Sequence, residues 1–195
     1  CPDDSFIEPD FLDQATELLC KYYVRRNATD FPPTRQLDQL HINLIEDCQK
    51  RIGTGEKLNI DYFSNLLLVG GEKMATLSQF EKSLKGSIYV SSSATTRYLL
   101  IKLNQIYHTR EYDPDLWKRD SKDRFVWTIE HVLPKTERIP VEWANMIAGS
   151  DLELAKKKHE KHVHQLGNLT LSGFNSQLAT ASFEKKQTLS VNRKF

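Results

Sequence analysis

The sequence predicts an α+β fold that is mainly helical, and three observations predict it. Through most of the first 110 residues, apolar side chains recur at three- and four-residue steps, the period of an amphipathic helix. After a polar stretch from Asp113 to Arg124, the composition switches to a β-branched and aromatic run, Phe125 to Leu133, that stops at Pro134. A second run, Leu169 to Leu171, reads as another short strand. The organisation that follows is a helical body over residues 1–124, suited to docking or scaffolding, and a second module over residues 125–195.

Phe11, Leu12, Ala15, Leu18, Leu19, Tyr22 and Tyr23 form the first helical stripe, with Asp10 placed to cap it. Past the Pro32-Pro33 break, Thr34 is placed to cap a helix striped by Leu37, Leu40, Leu44, Ile45, Cys48 and Ile52 and ended by Gly53. Residues 57–69 and 76–86 read as two shorter helices, and Ser93 or Thr95 opens another whose face is Leu99, Leu100, Leu103, Ile106 and Tyr107. In the second module, Val141 to Ala148 reads as a short helical turn. Ser150 with Glu153 makes a capping box for a basic helix over about 150–163, and Ser172 opens a last helix through Lys186. Gly70-Gly71 reads as a turn, and no G-x-x-x-x-G-K-[ST] loop is present, so nucleotide binding by this chain is not expected.

Charge is unevenly placed. Lys plus Arg number 27 against 26 Asp plus Glu, a formal net charge of +1. Residues 1–60 carry 7 basic and 11 acidic side chains, whereas residues 151–195 carry 8 and 4. Such asymmetry points to an anionic partner at the C-terminal end. The longest apolar run, Leu66 to Val69, is far short of the ~20 residues of a membrane span, so no membrane partner is expected. Cys1, Cys20 and Cys48 are odd in number and lack CxxC spacing. They read as reduced thiols, Cys20 and Cys48 in the core, which suits a cytoplasmic protein.

Residues 130–186 concentrate oxygen ligands and a base: Glu130 and His131 at a strand end, then His164, Asn168, Asn175, Lys185 and Lys186. A carboxylate beside an imidazole serves two jobs there. The carboxylate can hold a hard divalent cation, and an imidazole with an ordinary pKa of about 6.5 can take a proton from water at neutral pH.

In order, Ile129-Glu130-His131-Val132-Leu133-Pro134, His164-Gln165-Leu166-Gly167-Asn168-Leu169-Thr170-Leu171, Asn175 and Phe183-Glu184-Lys185-Lys186 resemble the HNH type of ββα-metal nuclease. More closely, they resemble the C-terminal nuclease domain of the GmrSD family of modification-dependent (type IV) restriction enzymes and its phage-defence relatives. Leu18 to Arg26, with Pro33-Thr34-Arg35, is similar to the helical region that precedes that domain. The resemblance implies a C-terminal ββα-metal (HNH) module behind an N-terminal helical body.

Its function would be metal-dependent hydrolysis of DNA phosphodiesters, as the endonuclease or nickase effector of a defence protein. His131 takes the general-base position and Asn168 the middle position, where its amide holds the turn. Glu130 and Asn175 become the ligands of one divalent ion. Few protein ligands, all oxygen, suit Mg²⁺ or Mn²⁺. Lys185 or Lys186 would meet a phosphate, and Pro134 and His164 support the site structurally. Family relatives carry an upstream nucleotide-hydrolysing, modification-sensing domain, which becomes an expected partner together with DNA. One HNH centre cuts one strand at a time, so a dimer is what double-strand cleavage would require.

The sequence departs from compact HNH modules in two ways. Its third position is Asn175 rather than His, and Asn168 lies 37 positions after His131. Thr136 to Lys161 is therefore an insertion carrying Glu142, Trp143 and Lys156-Lys157-Lys158, and it is expected to rest on DNA, with Lys156 and Lys157 on phosphates. His159, His162 and His164 read as surface histidines of a basic helix, with His164 tied to the turn, rather than as a zinc site. Trp127 reads as core beside a strand, although Trp117, Trp127 and Trp143 are all base-stacking types. The alternative function is a nucleic-acid-binding or partner-docking module with a vestigial metal site.

Overall fold

The computed structural model describes residues 6–69, 73–173 and 175–192. Cys1 and the Gly70-Gly71 turn lie outside them. Among the described residues the chain is mainly helical with one small antiparallel sheet, and no helix is long and apolar enough to cross a membrane. It divides into two compact units, residues 1–82 and 83–195.

The first unit holds α1 (Phe11–Thr29), α2 (Thr34–Gly53) and α3 (Ile60–Leu68), and α4 (Leu77–Lys85) begins in it. Its core is Phe11, Ala15, Tyr22, Leu37, Leu44, Leu58, Phe63 and Leu67, with Phe11 meeting Phe63 edge to face at 5.6 Å. Two sequence expectations need correction here. Cys20 is exposed, and Ile45 is 56% exposed although it lies on the predicted stripe of α2. Helix starts differ as well. Asp10 occupies the cap position in a left-handed conformation without a side-chain cap bond, and Thr34 is already helical behind Pro33.

The second unit contains α5 (Ile88–Ser91), α6 (Ser93–Gln105), β1 (Thr128–His131), α7 (Val141–Ala148), α8 (Leu152–His162), β2 (Leu169–Ser172), α9 (Asn175–Leu178) and α10 (Phe183–Asn192). The Ser92 side chain caps α6. Thr95, Thr96, Arg97, Leu100 and Ile101 are its buried residues, whereas Leu103, Ile106 and Tyr107 of the predicted stripe are exposed. Arg97 explains why the unit begins far upstream of residue 124. Its buried guanidinium donates to the carbonyls of Trp127 and Leu116 and lies against the Phe125 ring at 3.7 Å. It thereby knits the irregular segment before β1 onto α6.

β1 is shorter than the run from Phe125 to Leu133. It pairs antiparallel with β2 in the register Thr128↔Ser172, Ile129↔Leu171, Glu130↔Thr170 and His131↔Leu169. Directly opposed residues share a face and successive residues alternate. One face therefore carries Ile129, His131, Leu169 and Leu171, and the other carries Thr128, Glu130, Thr170 and Ser172. α8 is capped by Asp151, whose carboxylate accepts from Leu154 N–H, one residue after the predicted Ser150. The predicted last helix from Ser172 to Lys186 is two helices. Ala179 has a positive φ of 24°, and Ala181 N–H returns to the Leu178 carbonyl, which ends α9 and restarts the chain as α10.

Candidate active site

Asn168, at the end of a single 3₁₀ turn (Leu166–Asn168), locks the two strands together. Its Oδ1 accepts from Leu133 N–H at 2.7 Å, and its Nδ2 donates to the Leu133 carbonyl at 3.0 Å and to the Val163 carbonyl at 2.9 Å. Two carbonyls facing the nitrogen and one N–H facing the oxygen leave a single chemically sensible orientation of this amide. Its own carbonyl accepts from Val132 N–H at 2.9 Å. The chain leaving His131 is thus tied on both sides to residue 168. Pro134 is buried, and its carbonyl accepts from the His159 Nε2–H at 2.8 Å.

Glu130 and His131 are both buried but leave β1 on opposite faces. On the polar face, the Lys186 ammonium from α10 donates to Glu130 Oε1 at 2.6 Å and to the His131 carbonyl at 2.7 Å. Asn175, the first residue of α9, reaches the same face. Its Nδ2 donates to Thr128 Oγ1 at 2.6 Å and to the Ile129 carbonyl at 2.9 Å. That carbonyl can only accept, so the nitrogen is assigned and Asn175 Oδ1 points elsewhere, buried and without a hydrogen-bond partner among the described residues. A buried orphan acceptor is costly unless a donor or cation completes it.

On the opposite face, His131 Nε2 lies 3.3 Å from His164 Nδ1. Tyr89 of α5 stacks on the His164 ring (5.6 Å between centroids, 11° between planes) and presents an edge contact to His131 at 4.7 Å. Burial, and after it the neighbouring His164, Lys135, Lys186 and His159, lower the His131 pKa to about 4. Burial and the same kind of positive surroundings, Lys135 and His159, also lower that of His164. Both imidazoles are therefore neutral at physiological pH.

A cleft of about 720 Å³ opens beside His164, lined by Lys135, Lys156, His159, Glu137 and Glu160 among others. Lys156 faces this cleft, whereas Lys157 is exposed without lining it. Lys185 is exposed, but Lys186 is buried against Glu130 rather than presented at the surface. His159 is also buried, which corrects its assignment as a surface histidine. Trp143 is 3% exposed, donates its indole N–H to the Ala181 carbonyl and packs on Phe183, so it supports α10 and does not stack on bases. Among the described residues, no group of three or more His, Cys, Asp or Glu is gathered as a metal site. Tyr89 and Lys135 were missed by sequence reasoning. Lys135 follows Pro134 directly and was legible, but nothing local connects Tyr89 to residues 131 and 164.

No curated protein and no solved structure shows significant similarity to the chain. The family model of the GmrSD restriction endonucleases, C-terminal domain, matches residues 75–195, a span that contains Tyr89 and every residue of the site just described. The chain therefore belongs to the GmrSD restriction endonuclease family, of which residues 75–195 are the C-terminal domain.

Proposed function

We propose that the second unit is a ββα-metal (HNH) nuclease module that hydrolyses DNA phosphodiester bonds, using His131 as the base and one divalent ion held by Glu130 and Asn175. The observation that carries this reading is the buried, unpartnered Asn175 Oδ1 on the sheet face that also carries Glu130. Two oxygen donors fit Mg²⁺ or Mn²⁺ better than zinc. Such an ion, when bound, supplies Lewis-acid stabilisation of charge on the phosphate and the leaving oxygen.

The chain's own residues do the rest. His131 is neutral and braced by Asn168 through the tied turn, so it can take the proton of the attacking water as the new P–O bond forms and the P–O3′ bond breaks. Tyr89 and His164 wall the ring on its other sides. Exposed Lys156, Lys157 and Lys185 are placed to meet phosphates by charge alone. A single centre nicks one strand, so breaking both calls for a pair of modules. An upstream nucleotide-hydrolysing domain and a cytoplasmic location belong to the same proposal.

One observation favours a second reading, a binding module with a vestigial site: the Lys186 ammonium already engages Glu130. Incubation of supercoiled plasmid with the chain in Mg²⁺ or Mn²⁺ decides between them. Metal-dependent nicking that is lost in His131→Ala is expected. Salt-sensitive DNA binding with no nicking above background would instead establish the vestigial module.

A further inference from the structure

The contact between His131 Nε2 and His164 Nδ1 has one proton to share. Two neutral imidazoles meet through one N–H and one lone pair, and which ring donates decides what His131 can do. If His164 donated, the Nε2 lone pair of His131 would be occupied and its Nδ1 would carry the ring proton, leaving no nitrogen to act as a base. If His131 donates from Nε2, its Nδ1 keeps a free lone pair.

Two contacts to Tyr89 hold His164 in place. Its ring is clamped parallel to Tyr89, and its backbone carbonyl accepts from Tyr89 N–H at 3.4 Å, so its position does not depend on the bond to His131. It lines the cleft together with Lys135, Lys156, His159, Glu137 and Glu160. With His131 as the base, only the arrangement in which His131 donates leaves it a nitrogen that can act, so the His164 Nδ1 is the lone pair. On the other ring, His131 stands nearly perpendicular to both Tyr89 (85°) and His164 (83°).

We propose that His164 is the positioning residue for His131: its Nδ1 lone pair accepts the Nε2–H of His131 and fixes the tautomer whose Nδ1 is free to deprotonate water. This rests on the reading of His131 as the base, but the tautomer can be measured without any cleavage.

The test is the imidazole ¹⁵N–¹H correlation spectrum of the full 195-residue chain, metal-free and ¹⁵N-histidine-labelled, read beside plasmid nicking. In the wild type, His131 should show a protonated Nε2 and an unprotonated Nδ1. His164→Phe keeps the stack on Tyr89 but removes the acceptor. It should give a mixed His131 tautomer and lower kcat about 100-fold with little change in KM. His164→Asn offers a carbonyl oxygen close to the Nδ1 position and should restore both the tautomer and most of the rate. A wild-type His131 carrying its proton on Nδ1, or a tautomer unmoved by His164→Phe, overturns the proposal even if the protein is a nuclease. Should His164→Phe fail to fold, the wild-type and His164→Asn spectra decide. If the tautomer behaves as stated but the wild type does not nick, His164 still sets the His131 tautomer and the nuclease reading is what fails.

Discussion

The ammonium of Lys186 lies 2.6 Å from the carboxylate of Glu130, with both side chains less than a tenth exposed. Their partnership joins the middle of α10 to the end of β1 across 56 residues of sequence. A buried ion pair adds little compared with an apolar pair of similar size, but removing one partner strands the other charge. Lys186→Met should therefore destabilise the chain by about 3–5 kcal/mol. Adding Glu130→Gln should recover a large part of that loss, and Lys185→Ala should leave the urea midpoint nearly unchanged because Lys185 is exposed. Equal losses for Lys185→Ala and Lys186→Met in urea denaturation would contradict this geometry.

Asn168 should behave as a brace. Its side chain makes three hydrogen bonds to the backbone at Leu133 and Val163. At about 1 kcal/mol net for each, Asn168→Ala should cost roughly 3 kcal/mol. Asn168→Asp should be no better, since it turns an oxygen toward two carbonyls. Denaturation midpoints of the two variants provide the check, and full stability of Asn168→Asp would show that the amide orientation is wrong.

Asn175 and His131 should separate metal binding from base chemistry. Removing one oxygen ligand, if it contributes about 1.4 kcal/mol or more, weakens binding tenfold or more. Titration with Mn²⁺ followed by paramagnetic resonance should show that loss for Asn175→Ala and near wild-type affinity for His131→Ala. The reverse pattern would move His131 into the metal shell.

Burial holds the His131 pKa at about 4, below its unfolded value of about 6.5. A base with a depressed folded pKa binds fewer protons folded than unfolded between those two values. Its contribution is complete above pH ~6.5 and is lost as pH falls toward ~4. The window corresponds to roughly 3–4 kcal/mol at about 1.4 kcal/mol per unit, and His164, shifted in the same direction, adds to it. In EDTA, stability measured by urea should decline from pH 7 to pH 4. The decline should be shallower in His131→Ala, and an identical slope in the two proteins would refute the assignment.

Local periodicity made most helices legible, because α1 and α2 each bury a stripe that any helix of that sequence would present. It misled at Leu103, Ile106 and Tyr107, since α6 instead turns Thr96 and the guanidinium of Arg97 inward to satisfy the carbonyls of Leu116 and Trp127. No pattern in the helix announces that a cation is wanted there. In the same way, Ser172 to Lys186 has helical character throughout, and only the turn at Ala179 separates α9 from α10.

By itself, the amino-acid sequence determined the local setting of the candidate residues: Glu130 and His131 at a strand end, Asn168 in a turn, and Asn175 in a helix. Each depends on short-range geometry that a few neighbouring residues dictate. Tertiary structure alone decided the partners. The pleat of β1 sends Glu130 to Lys186 and His131 to His164 and Tyr89, so adjacent residues work in different surroundings. Residues so distant along the chain meet only because two strands close in one register, and that register depends on burying one face of the sheet rather than on any local preference.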